Sequence, residues 1–66
     1  MGEVKIVLTY DEALWLMDAI WIKIEESSLS ASRYLVKHEE VPGWLVDQIM
    51  DLTTIYNKIQ KAIHEL

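Results

Sequence analysis

Cysteine is absent from this sequence, which removes the disulfide from the means by which a short chain can be held together. The two histidines, His38 and His64, lie far apart and belong to no paired-ligand motif, so the tight Cys, His and carboxylate spacing of a zinc site is missing as well. Glycine occurs only at positions 2 and 43, and neither sits in a phosphate-cradling loop. Cations are few. Six Lys and Arg stand against eleven Asp and Glu, a net charge of −5, and a surface of that sign repels DNA and RNA, whose binding rests on neutralising phosphates. No apolar run reaches the roughly 20 residues of a membrane span; the densest, residues 13–24, carries Asp18 and Lys23. The basic segment, apolar core and small-residue cleavage site of a signal peptide are not seen, which makes the cytoplasm the expected compartment.

Apolar side chains, by contrast, are abundant, at 52% of 66 residues. A chain of this length forms one domain and buries only about 60% of the surface its unfolded form exposes. Part of the apolar content is therefore expected between subunits. With disulfide and metal set aside, association is the remaining route to stability.

Residues 3–9 read Glu-Val-Lys-Ile-Val-Leu-Thr, and the alternation predicts a short strand with Val4, Ile6 and Leu8 on one side. The rest of the chain offers no second strand, so the expected partner is the same strand of another subunit. At Thr9 the period changes. Thr-Tyr-Asp-Glu fits a capping box that opens a helix over about 10–37. Leu14, Met17, Trp21, Ile24, Ser28, Ala31 and Leu35 step by threes and fours and predict its buried seam. Trp15, Leu16, Ala19, Ile20 and Ile22 widen the apolar surface around most of the first half, beside a polar stripe of Asp11, Asp18 and Glu25. A helix apolar nearly all round needs cover on more than one side. Ser27, Ser28, Ser30 and Ser32 lower helix propensity and mark where a bend or break is expected.

Val41-Pro42-Gly43 closes the first segment, because Pro42 biases Val41 away from helical angles and is itself favoured in a first helical turn. A second helix is predicted over about 42–65, with Leu45, Ile49, Leu52, Tyr56, Ile59, Ile63 and Leu66 forming an unbroken seam. The short connection predicts an antiparallel helical hairpin. The expected architecture is thus mainly α, with a short N-terminal β-strand, assembling as a homodimer with a four-helix core. Val4, Ile6, Leu8, Trp15, Ile20 and Ile22 are its expected interface residues.

Catalytic arrangements are missing. No Ser, Thr or Lys stands beside an evident base, and Glu25-Glu26 and Glu39-Glu40 fall where solvated helix ends are expected rather than in a cleft. The chain reads as non-enzymatic, with no catalytic residue, metal ligand or cofactor. One constellation stands out: Ser27, Ser28, Ser30, Ser32, Arg33 and Tyr34 combine hydroxyls, a guanidinium and an aromatic ring, the groups that hold a phosphate and stack a base. A packing account is the preferred one, with Ser28 and Ala31 allowing close helix approach and Ser30, Arg33 and Lys37 facing water. Trp15 and Trp44 lie off the seams, and rings so placed mark a contact surface, for a partner, a ligand or another subunit. Arg33, Tyr34, Lys37 and Trp44 are the candidate ligand-binding residues.

In size, acidity and layout the whole chain resembles the short accessory proteins of large bacteriophages, among them helical oligomers that sequester the nucleotide signals of bacterial immunity. The resemblance implies a symmetric assembly in the host cytoplasm that holds a nucleotide-derived messenger at subunit interfaces by aromatic stacking and a few cations. Two functions follow as expectations: an inhibitor or regulator that binds a host protein through an acidic and aromatic surface, and, alternatively, a sponge for a nucleotide-derived immune signal.

Overall fold

The capping box at Thr9 forms. The Glu12 N–H donates to Thr9 Oγ1 at 3.1 Å and the Thr9 N–H donates to Glu12 Oε1 at 2.9 Å, so two amide donors left over at the helix start are satisfied reciprocally. In the computed structural model, which describes residues 2–65, the helix so opened is α1, Tyr10–Val36, and a second, α2, covers Gly43–His64. The serine-rich stretch does not break α1. The Ser32 hydroxyl donates to the Ser28 carbonyl at 3.0 Å, so the competing donor is spent on the helix's own backbone.

The α1 terminus is set by the backbone at His38. His38 adopts a left-handed conformation with φ of 59°. Its N–H donates to the Leu35 carbonyl at 3.0 Å and the Glu39 N–H donates to the Tyr34 carbonyl at 2.9 Å. This 5→2 and 6→1 pair is a Schellman motif, which ordinarily puts glycine where His38 stands. Pro42 then caps α2 from outside the helix rather than from its first turn; its carbonyl accepts from Leu45 and Val46 at 3.0 and 3.2 Å.

The two helices form an antiparallel hairpin. On α2 the predicted seam is the observed one: Leu45 is 2% exposed, and Ile49, Leu52, Tyr56, Ile59 and Ile63 are half-buried, while Leu66 lies outside the described residues. On α1 the seam is shifted in phase. Met17, Ile24 and Ala31 turn towards α2 as predicted, but their companions are Ala13, Ile20, Ser27 and Tyr34. Each stands one position before the expected Leu14, Trp21, Ser28 and Leu35, of which Leu14, Trp21 and Leu35 are among the exposed large hydrophobic residues. The small side chains Ala13 and Ser27 let the helices approach, and Trp21 meets Tyr56 at the margin, with ring centroids 5.7 Å apart and planes tilted by 47°. No buried side-chain polar atom among the described residues lacks a partner.

Residues 3–9 do not form the predicted strand; among the described residues there is none. The alternation is real, but a strand exists only as one member of a ladder, and this chain supplies no other. Val4, Ile6 and Val7 are largely exposed. Ile20, expected between subunits, is instead 8% exposed within the hairpin.

Two expected outcomes follow. Leu45→Ala should lower stability by about 2–5 kcal/mol, the range for truncating a buried leucine, read by chemical denaturation at fixed protein concentration. Backbone and side-chain hydrogen bonds from Thr9 hold the Glu12 carboxyl below its ordinary value. Its contribution is therefore complete above the usual glutamate pKa, about 4.3, and is lost as pH falls through the lowered folded value. Wild type should melt above Glu12→Ala at neutral pH, with the gap closing in acid; an unchanged gap would remove the carboxylate from the cap.

Candidate functional site

The Schellman turn brings together residues that the sequence keeps apart. By ending α1 at Val36 and folding residues 37–42 back, it sets the first turn of α2 beside the last turn of α1. Between them lies a cleft of about 420 Å³ lined by Ser30, Arg33, Tyr34, Lys37, Glu39, Trp44 and Leu45. All four ligand-binding candidates, Arg33, Tyr34, Lys37 and Trp44, stand on its wall. Ser27, Ser28 and Ser32 of the hydroxyl-rich constellation do not line it: Ser27 is buried against α2 and the Ser32 hydroxyl is bonded to its own helix. Sequence reading also missed two lining residues, Glu39 and the buried Leu45.

The chemistry of the cleft follows from its wall. Two cations, two aromatic rings and one hydroxyl face a single carboxylate. Glu39 forms an ion pair with neither Arg33 nor Lys37, since the Lys23–Glu26 contact at 3.8 Å is the only such pair among the described residues. The α2 N-terminus adds a partial positive charge, and its first turn contains no acidic residue to offset it. The proline cap contributes no side-chain acceptor either. Trp44 is 65% exposed, which leaves much of its ring open to a stacking partner. An arrangement of this kind attracts an anion and offers flat rings to an attached planar group. Among the described residues no three His, Asp or Glu stand together as metal ligands, and no helix is long and apolar enough to cross a membrane.

A second hollow of about 590 Å³ has a different character. The non-helical arm contributes Val4, Ile6 and Leu8, α1 contributes Leu16, and α2 contributes Ile55 and Ala62. Among the described residues Lys58 is its one charged lining residue, so it offers burial rather than chemistry. The expected interface residues therefore divide: Val4, Ile6 and Leu8 line this groove, Ile20 is internal to the hairpin, and Trp15 and Ile22 project from α1 on the side away from α2, with Trp15 76% exposed. Comparison with protein-family models, with curated proteins and with solved structures gives no match.

His38 shapes the cleft through its backbone, and its left-handed φ is one that a β-carbon disfavours. His38→Gly should raise stability by several tenths to about 1 kcal/mol, net of the freedom glycine gains in the unfolded chain, with helicity by circular dichroism unchanged. A fall in stability would show that the imidazole makes a contribution that outweighs the strain.

Proposed function

We propose that this chain is a non-enzymatic binding protein that works as a homo-oligomer and holds a small anionic, ring-bearing ligand of the nucleotide-derived class in the cleft between the end of α1 and the start of α2. The observation that carries this reading is the convergence of Arg33, Tyr34, Lys37 and Trp44 on one wall. Guanidinium and ammonium groups supply charge-assisted hydrogen bonds to phosphate, and the two rings supply the faces on which a base stacks. Nothing in the cleft is paired as nucleophile and base, so the bound molecule is held rather than converted. In the context of a phage infection such a protein is a sponge: it removes an immune signal from the host cytoplasm by mass action.

Assembly is supported by surface area. The chain exposes 5753 Å², whereas a compact monomer of 7.7 kDa exposes about 4,300 Å². The excess of about 1,400 Å² is more than the roughly 800 Å² that each partner contributes to a standard interface.

A second reading, inhibition of a host protein, is favoured by a different feature. Trp15, Ile22, Leu29 and Val36 recur every seven residues on the side of α1 away from α2, each between 56% and 78% exposed, and Asp11, Asp18, Glu25 and Glu26 flank them. A protein with an apolar, basic surface would fit there.

The two readings separate in one experiment. Melting temperature is measured with a panel of mono-, di- and cyclic nucleotides, for wild type and for Arg33→Ala/Lys37→Ala. A ligand at 100 times its Kd stabilises by about 2.7 kcal/mol, equivalent to well over 5 °C for a domain this small. The rise should occur with at least one nucleotide in wild type and disappear in the double variant. No rise with any nucleotide, together with a stoichiometric host protein that is retained by wild type and lost on Ile22→Glu, would replace the sponge with the inhibitor.

A further inference from the structure

Two apolar rows of α1 remain uncovered by α2, and their charge surroundings differ. The outer row, Trp15, Ile22, Leu29 and Val36, is edged by Asp11, Asp18 and Glu25 on one flank and by Glu12, Ala19, Glu26 and Arg33 on the other, where Lys23 pairs with Glu26 at 3.8 Å. A second copy laid antiparallel on this row would set acid against acid along the first of these flanks. The other row, Leu14, Trp21, Ser28 and Leu35, meets acid along one edge only, the Asp11, Asp18 and Glu25 stripe. Its opposite edge runs into the hairpin through Met17 and Ile24, half-buried, and across the Trp21–Tyr56 contact to α2.

Beyond Tyr56 on this face, the helical period places Val46, Met50, Thr53, Asn57, Gln60 and His64 of α2 along the rim, and none of them is an acid. The basic cleft and the groove beneath the arm both lie on the reverse face, where Leu16 and Tyr34 of α1 approach Trp44 and Ile55 of α2. The Leu14–Trp21–Leu35 face is therefore apolar, continuous across both helices, acidic along the α1 rim and without carboxylates along the α2 rim.

Resting on the reading of this chain as a homo-oligomer, we infer that a second copy covers this face, each α1 lying antiparallel on the partner's α2, with the two-fold axis along the helices. Two symmetric stackings of such faces exist. With the axis across the helices, α1 lies on α1 and the two acidic rims come together. With the axis along them, each acidic rim meets one without carboxylates, and the excess surface described above is enough for the contact. The second stacking closes a four-helix core in which every neighbour is antiparallel, and it places the two 37–42 loops at the same end of the dimer.

Adjacent positions test the face. Ser28→Glu and Leu35→Glu should each raise the dimer dissociation constant about a hundredfold or more, since the contact would have to bury an unpaired carboxylate, while Ile22→Glu should leave it within about threefold, as expected for a surface change. The readout is analytical ultracentrifugation. The cysteine-free sequence also permits a clean spin label at Glu40→Cys. Labels on two loops at one end should give a distance well below the roughly 40 Å length of α1; labels at opposite ends should give about that length or more, and this measurement decides the matter where a glutamate variant also loses its fold. A monomeric wild type would overturn the homo-oligomer reading and the inference with it. A dimer indifferent to Ser28→Glu and Leu35→Glu, one broken by Ile22→Glu, or one with distant loops would overturn the inference alone.

Discussion

Two cylinders in contact can cover only one stripe of each other, and this chain carries more apolar surface than one stripe. The shared seam holds the hairpin closed; among the described residues Leu45 is almost fully enclosed and Ala13 and Ile20 are the other buried apolar side chains. The rest is left on the outside of an object measuring 44 × 27 × 15 Å, whose radius of gyration of 14.5 Å is well above the roughly 11 Å of a compact chain of this length. The proposed assembly follows from that geometry. In a 66-residue chain without cysteine, burial of this surface is the largest reserve of free energy the geometry offers.

The turn between the helices has two roles. It reverses the chain, and it decides which side chains become neighbours at that end. The left-handed His38 ends α1 while satisfying the Tyr34 and Leu35 carbonyls within the turn itself. The chain then re-enters as α2 with no acidic residue and no side-chain cap at its N-terminus. An acidic protein thus gathers two cations and two aromatic rings at one corner, and the proposed function rests on that corner.

The legible parts of the fold were those that depend on local chemistry. Thr9 and Glu12 sit three apart, and both hydrogen bonds of the capping box can be read from that spacing. The α2 seam was also legible in place and phase, because α2 is apolar on one side and polar on the other. On α1 the spacing was readable but the phase was not. When positions 13, 14, 15 and 16 are all apolar, several seams of the same period compete. The choice of Ala13 and Ser27 over Leu14 and Ser28 reflects how closely the second helix can approach, which one helix alone does not specify. The strand was misread for a related reason: alternation is a property of the segment, whereas pairing belongs to the ladder.

The sequence by itself determined the two helices, where α1 begins, the seam of α2, the surplus of apolar side chains and the residue types available for holding an anion, since each depends on contacts within a few positions along the chain. The tertiary structure decided which face of α1 is inward, that residues 3–9 form no ladder within the chain, and that Arg33, Tyr34, Lys37 and Trp44 share a wall. Those outcomes rest on the approach of two helices and on one unfavourable backbone angle at His38, and neither is encoded in a periodicity.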